Sequence, residues 1–169
     1  IIQYIGEGGE RLGNPKDKDE TIVIKREDAP DITVELSEYL DVLGSDVRLK
    51  ILKLLEFKPM DIETISHYLY EKYDKTSSRE NTKKHMDKLL TVGLVMKQPG
   101  IRDDRPVINY VLIPGTIETI MRTLSTIVKI DLKFELSSKV NQVLERISEE
   151  FLQSFATIRV LYGVDDGQE

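Results

Sequence analysis

Apolar residues recur every three or four positions along most of this chain, the spacing that gives a helix one buried stripe. Leu36, Leu40 and Leu43 predict a helix from about Val34 to Leu43, ended by Gly44-Ser45. Ser45 caps the next helix, from Asp46 to Phe57, in which Val47, Ile51, Leu54 and Leu55 point inward. Pro59 separates it from a third helix, capped by Asp61, with Ile62, Ile65 and Leu69 as its stripe. The most informative pattern comes next, from Ser77 to Val92. Ser77 and Glu80 have the spacing of a capping box, and Thr82, Met86, Leu89 and Leu90 form one apolar stripe. Asn81, Lys84 and Lys88 fall on the opposite face, and Gly93 suits the left-handed residue that closes a helix.

The pattern then changes to short strands. Leu94 to Gln98 and Val107 to Ile113 read as a β-hairpin whose turn, Pro99 to Pro106, carries Arg102, Asp103, Asp104 and Arg105. Three helices followed by two strands is the order of a winged helix-turn-helix domain. Beyond Pro114-Gly115 the helical period returns. Ile117, Ile120, Met121, Leu124, Ile127 and Val128 form one stripe. Leu136, Val140, Val143 and Ile147 step by four, three and four, a heptad-like seam that breaks at Glu150. Phe151 and Phe155 continue at an ordinary helical period, and Thr157 to Val164 reads as a terminal strand with a turn at Asp165-Asp166-Gly167.

At the other end, Thr21 to Arg26 is β-branched and reads as a strand. The first twenty residues, with Gly6, Gly8, Gly9, Gly13 and Pro15 before the charge run Lys16 to Glu20, read as loop or mobile tail. No Gly-Lys-Ser/Thr follows those glycines, so they do not make a phosphate loop. The expected organisation is an extension over 1–32, a winged-helix domain over 33–114, a helical dimerisation arm over 115–156, and at 157–169 a terminal strand or the start of a further domain. The fold class is mainly α, formally α+β.

The segment from about Ser45 to Pro114 resembles ArsR-type and related archaeal and bacterial winged-helix regulators. Three pieces carry the resemblance: Leu43-Gly44-Ser45-Asp46-Val47-Arg48-Leu49-Lys50-Ile51-Leu52, Lys84-His85-Met86-Asp87-Lys88-Leu89, and Gly93-Leu94-Val95 at the entry to the wing. The resemblance implies a DNA-binding transcription regulator with the fourth helix as its recognition helix and His85 in a structural role. The family's metal-sensing cysteines are missing, and its serine before the His-Leu pair falls near Lys83. The terminal stretch from Ile158 to Glu169 is also similar to the opening strand and turn of forkhead-associated domains.

Charge sharpens the picture. The chain of 169 residues carries a net charge of -6, yet its middle is basic. Ser45 to Pro114 holds 13 Lys+Arg against 10 Asp+Glu, with acidic stretches on both sides. A local basic excess can follow phosphates. There is no cysteine, so neither a disulfide nor a thiolate metal site exists. His67 and His85 are the only histidines, and no metal site, cofactor or catalytic constellation is expected. The chain does not read as an enzyme, and an intracellular, cytoplasmic setting fits.

The expected function is sequence-specific DNA binding by a homodimer. Ser77, Ser78, Lys84 and Lys88 are candidates for phosphate contact, Lys83 for DNA contact, and Asn81 for bidentate reading of adenine. Arg79, also a DNA-contact candidate, falls towards the buried flank and reaches along the backbone instead. Glu80 either completes the helix cap or accepts from cytosine; the cap is favoured. Arg102 and Arg105 reach the minor groove or a phosphate, or else neutralise the aspartates beside them. The two C-terminal stripes, Ile117, Ile120, Met121, Leu124, Ile127, Val128, Leu136, Val140, Val143 and Ile147, are too continuous for one small core to cover and are expected to pair two copies. The rival reading is a protein-interaction adaptor on the same fold, favoured by the acidic flanks and acidic wing tip.

Overall fold

A computed structural model describes residues 2–5, 21–24, 30–75, 77–127 and 134–162, and the side chains of 21–23, 30–75, 77–125 and 137–151. Five strands and six helices are assigned among them: β1 (Ile2–Ile5), β2 (Thr21–Ile24), β3 (Ile32–Glu35), α1 (Leu36–Leu43), α2 (Asp46–Leu55), α3 (Ile62–Tyr73), α4 (Arg79–Thr91), β4 (Val95–Arg102), β5 (Arg105–Leu112), α5 (Thr116–Ile127) and α6 (Phe134–Tyr162). The fold is α+β. β1, β2 and β3 form an antiparallel sheet in that order, and β4 and β5 form a separate hairpin.

The expected winged helix-turn-helix is present as α2, α3 and α4 followed by the β4–β5 wing. Ser45 caps α2, accepting from the Arg48 amide at 3.5 Å, and Asp61 caps α3, accepting from the Thr64 amide at 2.8 Å. Each carboxylate or hydroxyl satisfies an amide that a helix start leaves without a partner. Ile51, Leu54, Ile65, Leu69, Met86 and Leu89 are fully buried where the three helices meet. At the end of α4 the Leu94 amide donates to Leu89 and the Gly93 amide to Leu90, with Gly93 at φ 71°. The left-handed φ is what asks for glycine here; a Cβ would meet only the movable end of the Ile32 side chain.

Within the first twenty residues, expected as loop or mobile tail, Ile2–Ile5 is a strand, because its register with Thr21–Ile24 satisfies its backbone groups. Three further expectations change. First, the helix expected from Val34 begins at Leu36, because Ile32–Glu35 pairs with β2, register Ile22 to Val34. Val34 and Ile22 are buried by that pairing. Second, the wing strands are eight residues each, and the turn is only Asp103-Asp104, at φ 50° and 58°. Positive φ at both central residues marks the type I′ two-residue hairpin turn, and aspartate tolerates it better than most side chains. Third, the stretch expected as a terminal strand is helical as far as Tyr162. No glycine or proline lies between Gly115 and Gly163, so nothing stops α6 from propagating. The helix also removes the opening strand on which the likeness to forkhead-associated domains rested.

The C-terminal stripes are also placed differently. Val140, Val143, Ile147 and Phe151 of α6 are buried in the same cluster as Leu36, Leu40 and Leu43 of α1 and the core of α2. Ile117, Ile120 and Leu124 of α5 are buried in that cluster too, and Met121 packs half-buried at its edge. Their burial within one chain removes the uncovered stripe from which a dimer was expected. Glu150 explains the break in the heptad. Its carboxylate lies 2.7 Å from Lys50 and its carbonyl accepts from Lys53 at 2.7 Å, which fastens α6 to α2. The loop glycines 6, 8, 9 and 13, the charge run before β2, Val128, the side chains of Ile127, Leu136 and Phe155, and the turn at 165–167 lie outside the described residues.

Candidate nucleic-acid interface

The outward face of α4 is built by burying the other one. Thr82, Met86 and Leu89 have no exposed surface, and Asn81, Lys83, Lys84 and Lys88 are exposed. Among the described residues the three lysines make no ion pair, so this face presents uncompensated cations beside one primary amide.

The start of α4 differs from a Ser77 capping box. Ser78 is the cap, its hydroxyl accepting from the Asn81 amide at 3.2 Å. The cause lies in Thr82. Its buried hydroxyl needs partners, and it finds two, donating to Ser77 Oγ at 2.9 Å and lying 2.7 Å from Ser66 Oγ. Ser77 is thereby drawn half inside, and the helix starts one residue later. Glu80 then stands one position too early to close a box with the cap. Of the two serines proposed for phosphate, Ser78 is exposed and Ser77 is committed to the α3–α4 contact.

His85 lies at the edge of the same helix, half-buried, with Nδ1 3.5 Å from an Arg48 guanidinium nitrogen. Burial, Arg48 and then Lys88 push its pKa below the usual imidazole value, so the ring is neutral. Arg48 itself is 8% exposed and donates to the Val42 and Asp41 carbonyls, each at 2.6 Å, closing the end of α1. The expected structural role of His85 is therefore a contact between α4 and α2.

The wing is arranged otherwise. Arg102 does not reach outward. Its guanidinium lies 2.7 Å from Asp61, pairs with Glu63, and is 3.9 Å from Asp103. The hydrogen bond with Glu63 holds its pKa above the usual guanidinium value. The neutralising role wins for Arg102, but the acids are mainly those at the start of α3. Arg79, expected on the buried flank, is exposed and lies 3.5 Å from the same Glu63. Glu63 is the residue that sequence reasoning missed: it joins α3 to both α4 and the wing. Its signal was faint, an acid in the first turn of a helix, where the helix dipole favours one.

Arg105 is exposed at the wing tip. Beyond it the wing offers Asp103 and Asp104, with Ile101 79% and Ile108 52% exposed. Register puts Pro99 opposite Ile108 and Ile101 opposite Pro106, so these four share one face. Between wing, α3 and α4 lies a groove of about 640 Å³ lined by Asp61, Glu63, Arg79, Lys83, Lys97 and Arg102 among others. At the wing root, Met60 and Tyr110 exchange backbone hydrogen bonds of 3.2 and 2.8 Å, which splices the α2–α3 loop onto β5.

Among the described residues no group of three or more His, Asp or Glu is placed to hold a metal ion, and no helix is long and apolar enough to cross a membrane.

No protein-family model matches this chain, and no curated protein does. Several solved structures are similar to it, among them the following two. An ArsR-like transcriptional regulator from Rhodococcus sp. RHA1 aligns over 75% of this chain and 91% of its own, at 21% identity and a TM-score of 0.36. Bacillus subtilis PadR in complex with operator DNA aligns over 72% of this chain and 78% of its own, at 13% identity and a TM-score of 0.38.

Proposed function

We propose that this chain is a sequence-specific DNA-binding transcription regulator that reads the major groove with α4 and acts as a cytoplasmic homodimer. The observation that carries this reading is the outer face of α4: three exposed lysines that have no ion pair among the described residues, flanking exposed Asn81, on a helix held by its buried face. Lysines position such a helix on phosphates, and an asparagine amide pairs with adenine N6 and N7. Ser78 and Arg79 at the helix start, with Arg105 at the wing, extend the same surface.

Two-fold assembly belongs to the reading because a palindromic operator needs two recognition helices about one helical turn apart. The pairing surface is then an outer side of α5 and α6, where Met121 and Leu144 are only half-buried. Light scattering at micromolar concentration checks it, with about twice 19.4 kDa expected and 19.4 kDa refuting it.

A second reading, an adaptor that binds protein, is favoured by one observation. The wing tip joins two aspartates to the exposed apolar face of Ile101 and Ile108. Gel shifts against genomic fragments separate the two. A Lys84→Ala/Lys88→Ala variant should lose the shifted band while keeping its unfolding transition. No shift by the parent chain gives first place to the adaptor.

A further inference from the structure

Where α6 crosses the junction of α1 and α2 there is a pocket of about 290 Å³. Three basic side chains line it: Arg48 from α2, and Lys139 and Arg146 from α6. Gln142 stands between the last two, and positions 139, 142 and 146 fall on one helix face. Asp41 is the one carboxylate in the lining, so the pocket carries a charge of +2 inside a chain of net charge -6.

Hydrogen-bond capacity is also one-sided. Lys139 donates to Asp41 and Arg146 to the Gly44 carbonyl. An ammonium has three donors and a guanidinium five, so most of their capacity is left for another acceptor. Buried Val143 and Leu40 supply an apolar side wall. Bare carbonyls alone would attract cations, and a solvated helix face would not line a concavity. Excess donors, excess positive charge and a small apolar wall together suit a compact oxyanion.

We propose that this pocket binds a small doubly charged anion, a phosphate or a short dicarboxylate, and that Arg48 passes its occupancy to the recognition helix. Arg48 lies in the pocket lining and also touches His85 of α4 at 3.5 Å. An anion that draws Arg48 or stiffens its setting changes the seat of α4. The coupling rests on the DNA-binding reading above; the anion site itself does not.

Calorimetric titration of the full chain with inorganic phosphate, and separately with succinate, at fixed ionic strength tests the site. One of the two should bind with a Kd below roughly 1 mM. Binding of phosphate alone identifies a phosphoryl ligand, and binding of succinate alone a dicarboxylate. Gln142→Glu lowers the pocket charge while leaving the Lys139 and Arg146 bonds in place, and it should weaken binding at least tenfold. Lys139→Ala/Arg146→Ala should do the same, with thermal unfolding reporting whether each variant is folded. Binding by neither anion overturns the site, as does undiminished binding by folded Gln142→Glu. A chain that binds the anion here but shifts no DNA keeps the site and loses the DNA reading. A chain that shifts DNA with unchanged affinity under saturating anion loses the coupling through Arg48.

Discussion

The outer face of α4 and the tip of the wing are the two surfaces a winged domain brings to DNA, and in this chain they are built in opposite ways. On α4, Lys83, Lys84 and Lys88 stand without acidic partners among the described residues, and only Arg79 at the helix start is drawn to Glu63. On the wing Arg102 is taken by Asp61 and Glu63, and what projects is two aspartates and two isoleucines. The difference teaches that a basic residue in the right element is not yet a phosphate ligand. Its charge has to be left over after the fold has used it. Arg102 stitches the wing to α3, so the cost of taking it away falls on the architecture before it falls on binding.

The largest effect should come from the inner face of α4. Met86→Ala should cost about 2–5 kcal/mol of stability in urea unfolding, because Met86 is fully buried among α2, α3 and α4. Lys84→Ala should change stability by less than about 0.5 kcal/mol. Equal losses would mean that the two faces are not divided as described. Next comes Asn81→Ala, expected to weaken binding to the preferred site by roughly 1–3 kcal/mol and to leave random DNA almost unaffected. Lys84→Ala should instead weaken all sequences alike and lower the salt slope by about one. Arg102→Ala provides the contrast: the melting temperature falls, while the salt slope stays where it was. A slope change matching that of Lys84→Ala would put Arg102 on DNA after all.

A smaller effect is expected at the wing turn. Asp103→Asn with Asp104→Gly keeps the two-residue turn, suits its positive φ angles better, and removes two negative charges. Stability should rise by about 1 kcal/mol or less, since relief of the left-handed φ angles is partly offset by the larger unfolded-state entropy of glycine. Duplex affinity should rise if the tip lies near phosphates and stay constant if the wing points elsewhere, which a filter-binding assay reads directly.

The smallest is pH dependence through His85. Its folded pKa lies below the ordinary 6.5, so the folded state resists a proton that the unfolded chain accepts. The stability it contributes is complete above pH 6.5 and is lost as pH falls from there to the folded value. His85→Gln should flatten that part of the stability curve, measured by denaturation at several pH values. An unaltered curve would show that the ring is not the group responsible.

Much of this was legible in the chain. The Ser45 and Asp61 caps, the stripes of α2 to α4 and the Gly93 stop are local features, set within four or five residues of one another, and they fold as read. What escaped depends on distance. β3 is four residues whose pairing comes from Thr21–Ile24, earlier in the chain, and alone it looks like the start of a helix. The shift of the α4 cap from Ser77 to Ser78 follows from Ser66, a residue of another helix that the buried Thr82 hydroxyl requires. The acidic partners of Arg102 lie 39 and 41 positions away. The α5 and α6 stripes were correctly seen as apolar, but periodicity does not say whether a stripe meets its own chain or another copy. On the candidate site, exposure of Asn81, Lys84 and Lys88 followed from helical phase, whereas the fate of Arg79 and Arg102 turned on Glu63.

The backbone exchange between Met60 and Tyr110 has a mechanical meaning. A hairpin attached only by its first strand and exit loop would swing like a paddle. This one is a beam clamped at its root by Met60 and braced further out by Arg102, so that little more than Asp103 and Asp104 overhangs the support. Force applied at the overhang is delivered to the α2–α3 loop and to the first turn of α3. The wing therefore has little freedom to bend on its own, and any travel it has must be shared with α3.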